Sequence, residues 1–442
     1  VFNRAFSPGP NTPVAFPAVM SSTYPLDLLA GKRPWLVEGR PYLMKTLAKA
    51  GVKAGVVHCH PLLSDQFGYA DGVDFWNDIE PPKGDLLRKR TQARTGLRQR
   101  AQECQKWVER LPGWESLLKP AGQKAYRMID KLVMRCYSYS WEKPAYVQAD
   151  EMTDRTIEIL KEMQKTGKDG FLWVHYIEPH GPFFPPEEFS DVGEVPVSEE
   201  TRRYVNRNYD KWVDDRELDL DEVPVKEMSS LYDAETRFAD REVCRLLDFI
   251  ESSGIGDRCA VALTADHGEE FGEHGSMFHH MKLYRELLQV PLLLRVPGVG
   301  GARIDSPVGT IDLCPTVADY FGIDPEPIWR GDSLLRFREG DDESEDSPVI
   351  SECRKETSPH VSAMGRNLHL ICRARKEWEA YRREDPLESQ NVMDELEGDP
   401  ELDRLRRAIE ERLSEVEEGG DSFPTVDDDD VQERLRALGY LE

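Results

Sequence analysis

VALTADHGEEFGEHGSMFHHMKLYRELLQVPLLLRVPG, residues 261–298, is the stretch around which the chain is organised. An apolar run, Cys259 to Thr264, is followed after Ala265 by Asp266 and His267. Such a run predicts a buried parallel strand, and ligands gather at the carboxyl ends of strands in open α/β sheets. A second apolar run, Val290 to Val296, predicts another strand. The stretch therefore predicts a binding site at a sheet edge.

The side chains that follow the first predicted strand are suited to a metal ion. Asp266 and His267 are followed closely by His274, His279 and His280, in a chain with only 10 histidines. Carboxylate with imidazole suits Zn or Mn, whereas oxygen ligands alone suit Ca or Mg. The pattern favours a site for a divalent cation. An Asp-His pair that only closes a hydrogen-bonded turn remains the alternative.

The order of these residues resembles that of a known family. DHGEEFGEHG, the two adjacent histidines and LYRELLQVPLLLRVPG together resemble the sulfatase branch of the alkaline phosphatase-like superfamily. The resemblance implies an α/β fold, a three-layer sandwich with a mostly parallel central sheet, followed by a small C-terminal antiparallel sheet and helix. It implies a catalytic domain over residues 1–345, with a helical insertion at about 86–140, and a C-terminal subdomain with an acidic helical tail over 346–442.

A candidate nucleophile lies near the beginning of the sequence. Thr12 before Pro13 is a helix-start signal with Thr12 as the N-cap, and a hydroxyl there lies in the positive field of the helix. The segment up to Tyr24 resembles the nucleophile motif of the family, with Thr12 at the nucleophile position. Sulfatases proper carry a Cys or Ser that becomes formylglycine, which threonine cannot form. Threonine resembles the phosphodiesterase and phosphoglycerol-transferase branches; without the resemblance, Thr12 is simply a helix cap.

Further histidines receive roles from the resemblance. HYIEPHGPFFPP, residues 175–186, is similar to a family motif whose second histidine contacts the ester oxygens, which assigns His180 that role. His279 or His280 would hold the same oxygens or protonate the leaving group. His175 is either a packed core residue or a support for the site.

The resemblance also implies one divalent cation, Ca, Mn, Zn or Mg, and no formylglycine. Its ligands would be Asp266, His267 and Thr12, with His274 as a further ligand or as a residue that orients one. In the family, a first strand with acidic metal ligands precedes the segment that opens this sequence. We therefore expect that strand and its ligands to be missing from the sequence given.

Composition limits the partners. Asp and Glu number 83 against 57 Lys and Arg, a net charge of −26, which disfavours nucleic acid and anionic membranes as partners. This acidity resembles that of proteins from salt-loving archaea. No window of 18 apolar residues predicts a membrane span. The 8 cysteines have no CxxC spacing, which favours buried thiols and a cytoplasmic location.

The sequence thus predicts a metal-dependent hydrolase of sulfate or phosphate esters that acts through a covalent ester of Thr12. Its substrate would be a small-molecule, glycan or lipid ester. The alternatives are a phosphodiesterase or phosphoglycerol-type transferase, and a catalytically incomplete fragment or binding protein. The substrate and the oligomeric state stay open.

Overall fold

Two β-sheets frame the region that contains Thr12. The structure is a computed structural model that describes residues 1–27, 40–79, 144, 146–214, 223–337, 347–355 and 358–416. The first sheet has the strand order β5-β8-β1-β9 and the second the order β3-β2-β4. The strands are β1 (Phe2–Phe6), β2 (Lys53–His58), β3 (Phe75–Asp78), β4 (Gly170–Val174), β5 (Val261–Thr264), the short pair β6 (Glu270–Phe271) and β7 (Met277–Phe278), β8 (Gln289–Arg295) and β9 (Val308–Gly309).

The described residues contain eight α-helices, several of which pack on the strands. They are α1 (Thr12–Val19), α2 (Leu43–Lys49), α3 (Ala149–Lys165), α4 (Glu199–Asp214), α5 (Val225–Ser252), α6 (Arg285–Leu288), α7 (Leu313–Tyr320) and α8 (Pro400–Glu415). In α5, Leu231, Ala234 and Phe238 recur at helical spacing and are buried, and this helix packs against α3. Since α3 packs in turn on β2, the long helix is part of a layer on the second sheet.

The strand before Asp266 differs from its prediction. β5 pairs antiparallel with β8, from Val261 opposite Arg295 to Thr264 opposite Leu292, and its side chains are only partly buried. An apolar run predicts that a strand is buried but does not predict its direction. Parallel neighbours need a long crossover connection, usually a helix, and the segment between β5 and β8 contains no long helix. Among the described strands, β2 pairs in parallel with both β3 and β4, and β1 pairs in parallel with β9. Among the described strands, β4 and β5 each lie at the edge of their sheet.

The start of α1 also differs by one residue from its prediction. The N-cap is Asn11, whose side-chain oxygen accepts a hydrogen bond from Val14 N at 3.2 Å, and Thr12 is the first helical residue. The helix continues through Pro17 although that residue lacks an N–H. All residues of α1 are buried, so tertiary packing overrides the local preference. The hydroxyl of Thr12 remains at the helix N-terminus.

A separate antiparallel sheet follows in the C-terminal part. Its strands, in order, are β10 (Val349–Lys355), β11 (Ser358–Met364), β12 (Leu368–Arg373) and β13 (Glu377–Arg382), and α8 packs on β11 and β12. The predicted insertion at about 86–140 and residues 417–442 of the predicted acidic helical tail lie outside the described residues. In the part of the chain that the structure describes, every helix is too short or too polar to cross a membrane.

Candidate active site

The site forms where the N-terminus of α1 meets the end of β5. Thr12 Oγ1 lies 3.2 Å from His267 Nε2, and Thr12 also hydrogen-bonds to Asp266. His267 Nδ1 donates to the carbonyl oxygen of Gly268 at 2.8 Å, so Nε2 of the uncharged ring carries the lone pair. The Thr12 hydroxyl is therefore within reach of two groups that can accept its proton.

Asp266 has the properties expected of a cation ligand. Its Oδ2 is buried and finds no hydrogen-bond partner among the described residues, and it lies 3.7 Å from His267 Nε2. Burial alone would raise the pKa of Asp266, but His267, His175 and the hydrogen bond from Thr12 outweigh it and lower the pKa. An ionised carboxylate, an imidazole nitrogen and a hydroxyl fit a divalent cation.

Three histidine rings stand together beside this group. The His279 ring centroid is 4.5 Å from that of His267 and 5.0 Å from that of His180. His180 Nδ1 donates to the carbonyl oxygen of Gly181 at 2.5 Å. Burial lowers the pKa of His180 to about 4 and lowers that of His279 well below its ordinary value. Both imidazoles are therefore uncharged at neutral pH in the free protein, so they present no cationic donor until a ligand binds.

Glu269 is a member of the site that the sequence reasoning missed. Its side chain is 7% exposed, and its Oε1 lies 3.0 Å from His279 Nδ1. Burial is the main reason why its pKa is raised. The sequence places this acid directly after Asp266-His267-Gly268, but adjacency does not reveal which way a side chain points. The only nearby sequence feature that points to Glu269 is the Asp266-His267-Gly268 motif directly before it.

The structure gives the other two histidines of the 261–298 stretch, His274 and His280, neighbours of their own. His274 donates from Nδ1 to the Glu286 carboxylate at 2.7 Å and from Nε2 to the carbonyl oxygen of Glu388 at 3.2 Å, and its ring stacks on Tyr284. Both ring nitrogens of His274 are thus engaged as donors, and its role as a metal ligand, or as a residue that orients one, stays a prediction. Burial and the nearby Lys282 lower the pKa of His280. The ring that lies beside His267 is that of His279.

His175 is packed inside the protein behind the site. Its ring contacts Phe16 edge-on at 5.1 Å and Trp173 at 6.1 Å. Burial lowers its pKa to about 4, while the nearby Asp266 opposes that shift. This position is that of a core residue that contributes an uncharged polar neighbour to the carboxylate.

Buried carboxyl groups hold the loop that contains His180. Glu178 accepts a hydrogen bond from Ala149 N at 2.8 Å, and Glu235 accepts one from Phe184 N. Burial raises the pKa of Glu178 to about 7 and raises that of Glu235 well above its ordinary value. The loop is therefore fastened by groups that carry a proton in mildly acidic solution.

Replacing Glu178 with glutamine is expected to flatten the pH dependence of stability. Below its ordinary value of 4.5, this carboxyl is protonated in both states; from there to about pH 7 only the unfolded chain releases the proton. The free energy of unfolding therefore falls by on the order of 3 kcal/mol as pH rises through this window. Glu178→Gln removes this decrease because the amide does not titrate. Thermal unfolding at pH 5 and pH 8 measures the difference.

The exposed Glu187→Gln on the same loop is the matched control and should retain the slope of the unaltered protein. Equal slopes for Glu178→Gln and the unaltered protein would contradict the buried-proton account.

The fold and the site define the class of the protein. A mixed α/β fold with a hydroxyl at a helix N-terminus, facing an Asp-His pair at a strand end, is alkaline phosphatase-like. The chain belongs to the sulfatase family: the Sulfatase model matches residues 1–323, and the model for the N-sulphoglucosamine sulphohydrolase C-terminal region matches residues 272–419.

Individual relatives agree with this family. The chain is 27% identical over 244 residues to choline-sulfatase of Rhizobium meliloti, which covers 51% of this chain and 47% of that protein. The chain thus spans about half the length of the curated relatives it matches. The structure of a protein in complex with its substrate D-glucosamine-2-N,6-O-disulfate is similar with a TM-score of 0.65 and 15% identity, over 94% of this chain and 90% of that one.

Another solved relative is named for a different activity. The phosphonate monoester hydrolase of Agrobacterium radiobacter has a TM-score of 0.63 and 16% identity to this chain, over 94% of this chain and 88% of that one. At 15% and 16% identity, the similarity between this chain and these two solved structures shows a shared fold and nothing further.

Proposed function

We propose that the protein hydrolyses sulfate or phosphate esters through a covalent ester of Thr12. The observation that supports this most directly is the position of Thr12 Oγ1, 3.2 Å from His267 Nε2 and hydrogen-bonded to Asp266. A nucleophilic hydroxyl needs a neighbouring group that takes its proton, and both neighbours qualify. Asp266, His267 and Thr12 would hold a divalent cation, which supplies Lewis-acid chemistry and lowers the pKa of the hydroxyl.

The residues of the chain then divide the work. Thr12 Oγ1 attacks the phosphorus or sulfur atom in line, the ester bond to the leaving group breaks, and the group is held on Thr12 until water cleaves it. His180 and His279 are uncharged in the free protein, and an anionic ester beside them would raise their pKa. A proton gained in this way would be available for the oxygen of the leaving group.

The identity of the nucleophile separates two kinds of substrate. Threonine cannot become formylglycine, so the proposal favours phosphate esters, including diesters, over sulfate esters; transfer to an acceptor other than water is the related alternative. Parallel assays with nitrophenyl phosphate, bis(nitrophenyl) phosphate and nitrophenyl sulfate, each with Mn, Zn, Ca and Mg, test this. We expect phosphate compounds to be cleaved faster. Turnover of the sulfate alone would remove the phosphate preference, and no turnover with any cation would favour a binding protein.

The natural substrate belongs to the same proposal. The named choline-sulfatase and the disulfated glucosamine in the solved relative support an anionic ester of a small molecule or glycan, and a lipid ester is compatible. The described cysteines are free thiols, which supports a cytoplasmic location. The surplus of acidic residues supports adaptation to concentrated salt, where counterions screen their repulsion.

A further inference from the structure

Glu269 is difficult to explain in a pocket that only binds anions. Its side chain is 93% buried, since 7% is exposed, and Oε2 has no hydrogen-bond partner among the described residues. It stands next to the histidines assigned to the ester oxygens. A buried carboxylate costs several kcal/mol unless it is paired, and it repels an anionic ester. The position of Glu269 is therefore better suited to a cation than to a sulfate or phosphate group.

The spacing of the neighbouring ligand atoms is that of a metal site. His180, Glu269 and His279 each offer one ligand atom, and these atoms lie within 4.8 Å of one another. Two ligands on one ion, with bonds of about 2.0–2.2 Å, are separated by roughly 3.0–3.5 Å. The distance from His279 Nδ1 to Glu269 Oε1 is 3.0 Å, so these two atoms already have the spacing of adjacent ligands.

The hydrogen bonding of His180 points to the same kind of site. Its Nδ1 donates to the carbonyl oxygen of Gly181, which leaves the lone pair on Nε2. Histidines that bind metals commonly donate their other ring N–H to a carbonyl or carboxylate in this way. His180 is thus held in the tautomer that a cation requires.

We propose that His180, Glu269 and His279 form a second cation site, with the ligand set of Zn²⁺ or Mn²⁺, beside the Asp266-His267-Thr12 group. The two ligand sets share no residue. Two imidazoles with one carboxylate and an open position form a ligand set typical of zinc sites at which reactions occur. A cation there would face the oxygens of an ester attacked by Thr12 in place of the protonated histidines described above, and to that extent its role rests on the function proposed above. Binding itself does not require turnover.

The competing explanation is that Glu269 only accepts a hydrogen bond from His279 Nδ1 and orients that ring. Both explanations predict a loss of activity when Glu269 is changed, so activity does not separate them. Metal binding does, because the orienting role involves no ion.

The test is zinc binding to the metal-free protein, measured by titration calorimetry and by anomalous diffraction from crystals with Zn²⁺. We expect an anomalous peak between His180, Glu269 and His279. Glu269→Gln should remove this peak and lower the zinc affinity of this site by at least about 100-fold. Changes to residues that only support metal ligands already lower metal affinity by about 10–100-fold. Glu273→Gln, an exposed carboxylate on the same loop, is the control and should keep both. His180→Gln is the second variant if Glu269→Gln does not fold.

The outcomes separate this inference from the proposed function. No peak at this position, or an unchanged zinc affinity in folded Glu269→Gln and His180→Gln, would overturn the second site. A peak at this position without hydrolysis of any ester would uphold the second site and count against the proposed function. Hydrolysis with an ion bound only by Asp266 and His267 would support the proposed function and overturn the second site.

Discussion

Thr12→Ala is expected to lower the rate constant of ester hydrolysis at least about 10³-fold, because it removes the only atom that forms the covalent ester. Thr12→Ser keeps a hydroxyl at the N-terminus of α1 and should stay within about tenfold of the unaltered protein. Steady-state rates give the comparison. Acid-quenched reactions followed by peptide mass spectrometry should show the transferred group on residue 12 in the unaltered protein and in Thr12→Ser, but not in Thr12→Ala.

The alanine variant should also retain the fold. Thr12 is the first residue of α1, and the N-cap bond of the helix comes from Asn11 rather than from the Thr12 side chain. An Asn11→Ala variant is therefore the structural control: it should lower the melting temperature, at a cost of about 1 kcal/mol, without removing the covalent adduct. An adduct on a residue other than 12, or full activity in Thr12→Ala, would end the assignment of the nucleophile.

Asp266→Asn is expected to abolish the turnover that depends on a divalent cation. The substitution preserves the shape of the side chain and removes its charge, and the Oδ2 that now lacks a partner is the atom that would face the ion. Affinity for the activating cation should fall at least about 100-fold, measured by titration calorimetry on the metal-free protein. The melting temperature of the metal-free protein at neutral pH should fall modestly, because the lowered pKa of Asp266 means that the folded state favours the ionised carboxylate, and the amide loses this contribution.

Asp257→Asn provides the matched control. Asp257 is exposed at the opposite end of β5, so the variant makes the same change of charge far from Thr12. We expect it to keep both cation affinity and turnover. If Asp266→Asn also kept its cation-dependent rate, the group formed by Asp266, His267 and Thr12 would not be the active site.

The elements of the fold could be predicted from the sequence wherever the pattern is local. The predicted strand at 290–296 is observed as Gln289–Arg295, and the predicted small C-terminal antiparallel sheet is observed as β10 to β13. Periodic burial is a property of neighbouring residues, so a short window contains it. The predicted family and the alkaline phosphatase-like α/β fold are confirmed. The direction of β5 was wrong, because strand pairing depends on a partner about thirty residues away.

The site shows the same division. The sequence determined which chemical groups are available: a hydroxyl beside a helix start, an Asp-His pair after an apolar run, and histidines in a Pro/Gly-rich loop. Only the tertiary structure decided their neighbours. It placed Thr12 against His267 across 255 positions of sequence, turned His274 toward Glu286, and brought His279 and the unpredicted Glu269 together. Side-chain direction at a site follows from packing between distant segments, and no local pattern encodes it.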